Sequence, residues 1–376
     1  MNFYRDRNED RRTVPLSSAA IVLSAALLCG CSNSGVKPAN ALADVTPTPA
    51  AAESTGTTTP AESTAGSVTV DLGTAADAET LTINGSDDLS FLTGFPYDTG
   101  SKQEYTVTET ISTKASSFDQ MTGFDETQAI LLNLNGNTME ITTGADASNE
   151  AKETYIAEAV TIDGNRICIT KSGTYIVRGT LSGGQICFRG GADDKIQLVL
   201  DGADLSCTTA SPLCFESGDK ALITIAPDSE NHINSGTDSS DKGGITSNID
   251  LSINGSGSLS VTAAKGNGIH CKDDLKILDG EITIQAENNA LKGNDSVVIL
   301  GGSLTLSCKG DGIKSDQEDD STKGFVYIAG GTLDIAADDD GIQATTAIVT
   351  TDDASLNIRC YDHAYKCDGI VETAAP

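Results

Sequence analysis

From Asn267 onward the sequence returns to the same phrase, and that return limits the fold more than any other feature. The phrases are "GNGIHCKDDLKILDGEITIQA", "NNALKGNDSVVILGGSLTLSC", "GDGIKSDQEDDSTKGFVYIAGGTLDIAA" and "DDGIQATTAIVTTDDASLNIRC". The residue before each Gly-Ile, or its equivalent, is Asn267, Asn289, Asp311, Asp340 and His363, so the steps are 22, 22, 29 and 23 residues. The long step carries an insertion, "QEDDSTK", which reads as a loop.

Within each repeat the segments are short, apolar or alternating, and bounded by Gly, Asp and Asn, with no helical stripe. Similar strands begin near Ile130, with "YIVRGTL", "KIQLVL" and "ALITIA". A repeat of about 22 residues built only of strands and turns is the size of one coil of a parallel β-helix, whose equivalent residues stack about 4.8 Å apart. The expected fold is therefore all-β, a right-handed parallel β-helix whose hand follows that of parallel crossovers. A leucine-rich repeat has a similar length but needs a dense Leu pattern and a helical return, neither of which is present.

Stacking makes columns. Ala264, Ala286, Cys308, Ala337 and Cys360 form one, and Cys271, Gly293, Ser315, Ala344 and Cys367 another. Both hold small residues, so cysteine substitutes for Ala or Ser in a tight corner. Cys308 and Cys360 would stand two coils apart, about 10 Å, beyond disulfide reach. Cys168, Cys187, Cys207 and Cys214 complete the set after Cys31 and read as small buried thiols. Without a Cys-x-x-Cys pair, and with His232, His270 and His363 scattered, a zinc site is not expected.

The N-terminus speaks to location. Arg11 and Arg12 precede the apolar run "AAIVLSAALLCG", too short to span a bilayer and suited to a signal-peptide core. "LLCGC" resembles a bacterial lipobox, which would make Cys31 the lipidated first residue of a mature protein on the extracellular face of the membrane. Residues 1–31 are thus expected to be a leader and residues 32–66, rich in Pro, Thr, Ala and Ser, a disordered tether. Residues 67–127 have strand-like pieces without a recognisable pattern, and residues 128–376 carry the coil, expected to act as a monomer. The chain stops in mid-repeat at "YKCDGIVETAAP", as a truncated copy would. The net charge of −30 repels nucleic acid and anionic lipid, which excludes both as partners.

The stretches "ITKSGTYIVRGTLSGGQICF", "KIQLVLDGADLSC", "SNIDLSINGSGSLSVTAAKGNGIHCKDDLKI" and "GDGIKSDQEDDSTKGFVYIAGGTLDI" resemble the carbohydrate-binding, right-handed β-helix proteins of clostridial and other Gram-positive cell surfaces. The resemblance runs through most of residues 130–370. It implies binding of plant cell-wall polysaccharide, pectic or cellulosic, with bound calcium, on a coil like that of pectate lyases. Asn267, Asn289 and His363 depart from the family's Asp at that position, which weakens those turns as metal ligands.

The residues themselves support related chemistry. One Asp per coil becomes a vertical pair of carboxylates, and calcium takes six to eight oxygen ligands. Asp311, Asp339 and Asp340, with Asp316 from the insertion, are the candidate calcium ligands, although EF-hand spacing is absent. In this reading Ile faces the core, Gly makes the turn and Asp faces outward. After the Gly-Ile turns comes a second column, His270, Lys292, Lys314, Gln343 and Lys366, with Lys272 nearby. Lys272, Lys292, Lys314 and Lys366 are candidate contacts for a uronic acid polymer, or else balance the Asp column. Trp is absent, which favours an acidic glycan over cellulose. Two other readings stand beside binding. A calcium-dependent polysaccharide lyase would use Lys314 as its base near Asp311 and Asp316. A structural or adhesive surface protein would need no specific glycan.

Overall fold

The structure, a computed structural model, describes residues 67–73, 78–84, 111–136, 138–143, 156–239 and 243–373. The leader, Cys31 and the tether lie outside the described residues, as does much of 67–127. Ser67–Gly73 and Ala78–Asn84 pair antiparallel, and Ile111–Ser112 joins Ser67–Gly73 in parallel.

The rest is a coil. Alternating Ile, Leu and Val with polar residues cannot bury its apolar side in one strand, so successive repeats stack it against themselves. Each coil contributes a strand to three parallel sheets. One coil runs through Asn267–Cys271, Asp274–Ile277 and Glu281–Ala286, and the next through Leu291–Gly293, Ser296–Ile299 and Ser303–Cys308. We name the sheets third, first and second in that order. Lys195–Cys207 is long enough to serve the first and second sheets together, bending between Leu200 and Ala203.

The pairings are in register throughout the C-terminal half. Leu275, Val297, Val326 and Ile348 form one inward column, and Ile284, Leu306, Ile335 and Ile358 another. Each fully buried Ile or Leu contributes about 1.5–3 kcal/mol by leaving water, so the stacked core holds the coil without a bulky aromatic centre. At the N-terminal end, Ile130–Gly136 pairs parallel with the strand Gly173–Ser182 and antiparallel with Thr138–Thr143. Val160–Asp163 likewise closes the third sheet antiparallel to Arg166–Ile169. Such hairpins end the stack with strands that do not propagate the coil.

Three details of the expected coil change. The small-residue column runs through Ala263, not Ala264, followed by Ala286, Cys308, Ala337 and Cys360. A parallel strand one residue out of step would turn its core side chains outward, so the apolar alternation selects Ala263. Gly312 and Gly341 do not lie in the left-handed region. They are glycine because a Cβ on Gly312 would meet Ile335 Cγ2 at 2.4 Å and Gly341 O at 2.6 Å, and one on Gly341 would meet Ile358 Cγ2 at 2.4 Å. Finally, Asp311 and Asp340 do not face outward: they are 2% and 0% exposed.

Candidate functional site

The column Asn267, Asn289, Asp311, Asp340, His363 is a ladder between the second and third sheets, buried as far as Asp340 and half-exposed at His363. Each Oδ1 accepts the backbone N–H of the same position one coil on. The distances are 3.2 Å for Asn289, 2.8 Å for Asp311, 3.2 Å for Asp340 and 3.2 Å for His363. Asn289 Nδ2 also donates to Asn267 Oδ1 at 3.0 Å. The turn leaves one amide per coil without a sheet partner, and the side chain of the coil below supplies the acceptor. Asn and Asp serve alike because the ladder needs only a short acceptor.

The two carboxylates bring a charge that the asparagines do not, and lysines of the next column take it up. Lys314 Nζ lies 2.9 Å from Asp311 Oδ2 and also hydrogen-bonds Gln343, while Lys366 Nζ lies 2.8 Å from Asp340 Oδ2. His363 Nδ1 is 3.1 Å from Asp340 Oδ1. Burial pushes the Asp340 carboxyl up, but the bonds from Lys366 and His363 outweigh it and hold the group below the usual carboxylate range.

The column His270, Lys292, Lys314, Gln343, Lys366 is in register. Each of its lysines is engaged: Lys292 pairs with Asp316 at 2.5 Å, beside the Lys314–Asp311 and Lys366–Asp340 pairs. Lys272 is exposed and lies outside the column, two residues beyond His270. Of the four proposed calcium ligands, oxygens of Asp311, Asp339 and Asp340 come within 4.8 Å of one another, whereas Asp316 turns to Lys292. An ion-paired Lys314 is poorly placed to take a proton as a base.

A second acidic place lies where the strands of the first sheet begin. Asp250, Asp273, Asp274 and Asp295 line a hollow of about 400 Å³ with Thr322 and Lys323. Burial raises the Asp273 carboxyl, and Asp295 and Asp250 raise it further; burial and then Asp274 raise Asp250. Lys323 answers Asp295 at 2.6 Å.

An open groove of about 670 Å³ runs along the C-terminal edge of the second sheet. Its floor is the small-residue column Ala263, Ala286, Cys308, Ala337 and Cys360, and its walls include Gln285, Glu287, Lys309, Asp338 and Arg359. The groove lies outside that column, whose side chains face the core beside Leu306 and Ile335. It crosses four coil steps, about 19 Å at about 4.8 Å each, and runs along the coil axis. Tyr361 stands at its end, 91% exposed. Lys309 pairs with Glu287 at 2.7 Å and Arg359 with Asp334 at 2.9 Å, all four well exposed. Column alignment had already brought Ala286, Cys308, Ala337 and Cys360 together. What it missed was the trough on the outer side of this column, and that Tyr361 follows Cys360 onto its rim.

These features define a class, a parallel β-helix with an open axial groove and stacked polar corners. The model of the carbohydrate-binding domain-containing protein family matches residues 163–374, and the chain belongs to that family. A carbohydrate-binding domain-containing protein of Acetivibrio thermocellus is 36% identical over 225 residues, covering 58% of this chain and 78% of its own length. The polysaccharide lyase-like protein from C. thermocellum, solved as a gadolinium derivative, matches with a TM-score of 0.59 at 30% identity, over 65% of this chain and 96% of that one.

Proposed function

We propose that the chain binds polysaccharide along the second-sheet groove, preferring acidic, pectin-like polymers to cellulose, as a monomeric lipoprotein held on the extracellular face of the membrane through Cys31. The groove carries this reading. It is shallow, polar-walled and parallel to the coil axis, which suits the inner stretch of a polymer better than an enclosed small molecule. Tyr361 offers one sugar face an exposed ring, and Lys309 and Arg359 offer carboxylates a cation.

Calcium fits the same reading. A protein of net charge −30 and a polyuronate repel each other, and a divalent ion between them removes that repulsion. Asp311, Asp339 and Asp340 supply oxygen donors of the right kind beside the groove wall at Asp338, and the hollow around Asp273 supplies a second set. A relative prepared as a gadolinium derivative is in keeping with a coil that takes hard cations. The ion pair between Lys314 and Asp311 favours binding over lyase chemistry.

The test is retention on polygalacturonate and on cellulose, with calcium and with EDTA. Polygalacturonate should retain the protein only with calcium, and Tyr361→Ala should weaken retention about 5–30-fold, the loss of about 1–2 kcal/mol typical of an aromatic anchor. Failure to bind any glycan with calcium present would end the binding reading. Release of unsaturated oligosaccharides would replace it with the lyase.

A further inference from the structure

The third-sheet column that carries the lysines begins, at the N-terminal end, with three cysteines. Cys168 pairs in register with Cys187, and Cys187 with Cys214. Their neighbours Ile167, Ile169, Ile186, Phe188, Leu213 and Phe215 belong to the core cluster, and the cysteines do not. Strand alternation therefore places the sulfurs on the outer side of the wall. There a charged cluster meets them. Arg166 Nη2 lies 3.1 Å from Cys187 Sγ and 3.8 Å from Cys214 Sγ, and it pairs with Glu216, which also holds Arg189. The Cys187 and Cys214 sulfurs and a Glu216 oxygen fall within 4.8 Å of one another. Arg166 Nε is buried without an acceptor, so the sulfurs and Glu216 set the placement of its guanidinium.

We propose that Cys187 and Cys214 are a reversible thiol–disulfide site, with Cys187 as the attacking thiolate and Arg166 as the cation that stabilises it. A guanidinium against both sulfurs takes the place a soft metal ion would need, which sets thiol exchange ahead of metal binding. In-register parallel neighbours stand about 4.8 Å apart, within the Cα range of disulfides but wider than their relaxed Cβ separation of about 3.8 Å. The bond would close under strain and reopen readily, as labile, regulatory disulfides do. The proton equilibria agree in direction. The S–H of Cys214 donates to Cys187 and, with Arg166, holds the Cys187 thiol below its ordinary value against burial and Glu216, while the same bond and burial push Cys214 up. Cys187 and Cys214 are 0% and 5% exposed, and what covers them includes the Arg166 and Glu216 side chains, themselves 27% and 34% exposed.

The oxidant is a low-molecular-weight disulfide, RSSR. The Cys187 thiolate attacks one of its sulfurs, expels RS⁻ and becomes a mixed disulfide. Cys214 gives up its proton and attacks the Cys187 sulfur, expelling the second RS⁻. The protein loses two electrons and two protons, and RSSR becomes two RSH.

The folded chain is equilibrated in glutathione redox buffers, denatured in excess alkylating agent and mapped by peptide mass spectrometry. A single Cys187–Cys214 crosslink is expected, opened by mild reductant, with the other described thiols still alkylated. Cys214→Ala should leave glutathione attached at Cys187, and Arg166→Gln should slow that attachment severalfold at neutral pH, because less of the thiol is then ionised. Should Arg166→Gln loosen the coil, Arg166→Lys keeps the charge and is expected to keep most of the rate. Full alkylation of Cys187 and Cys214 under oxidising buffer, a bridge between other cysteines, or protection of both sulfurs by added zinc without a crosslink would each overturn the proposal.

Discussion

Asn289→Ala tests whether the buried corner ladder holds the coils together. Asn289 is 5% exposed. Its Oδ1 accepts the Asp311 N–H at 2.8 Å and its Nδ2 donates to Asn267 Oδ1 at 3.0 Å. Alanine removes both bonds and leaves the Asp311 amide buried with no side-chain acceptor from the coil below. An orphaned donor costs about 1–3 kcal/mol and the lost amide–amide bond about 1 kcal/mol, so the substitution should cost about 3 kcal/mol. For a coil of this size that lowers the thermal midpoint by roughly 6–12 °C. Melting followed by far-ultraviolet circular dichroism gives the shift, and hydrogen exchange at Asp311 locates it. Asn288→Ala, at the exposed neighbouring position, should stay within about 0.5 kcal/mol of wild type. If Asn289→Ala matched that control and the Asp311 amide stayed protected, the ladder would be incidental to coil stacking.

Gly312→Ala should destabilise by at least about 1–3 kcal/mol, the usual cost of overpacking, because its Cβ would sit 2.4 Å from Ile335 Cγ2; urea denaturation checks it. Asp340 is held below its ordinary 3.8, so its contribution is complete above that pH and fades as the pH falls through the folded value; Asp340→Asn should flatten the acid limb of the stability profile. Asp273 has the opposite sign. Its folded carboxyl is raised, so stability present at low pH is lost as the pH rises past 3.8, and Asp273→Asn should raise the neutral-pH melting point in EDTA. Calcium should raise the wild-type melting point by mass action, and comparison of Asp339→Asn with Asp273→Asn shows which acidic place takes the ion.

The 22-residue period, read off Asn267 to Asp311, was enough to specify a parallel β-helix, because apolar alternation at a fixed period can bury itself only by stacking. The same spacing placed Lys292, Lys314, Gln343 and Lys366 in one column. Spacing names which residues stack; it does not say which side of a corner each one faces. Asp311 and Asp340 read as outward carboxylates because Asp usually seeks water, but the corner amide of the next coil needs an acceptor and draws them in. Nor could the cysteine stack be aligned, since the steps from Cys168 to Cys187, Cys214 and Thr246 are 19, 27 and 32 residues. Loops of unequal length erase the period while the sheet preserves the register. The groove, too, is a property of the assembled wall: Gln285, Glu287, Lys309, Asp338 and Arg359 come from successive coils and line a trough only once the coil has placed them side by side, with Tyr361 on the rim.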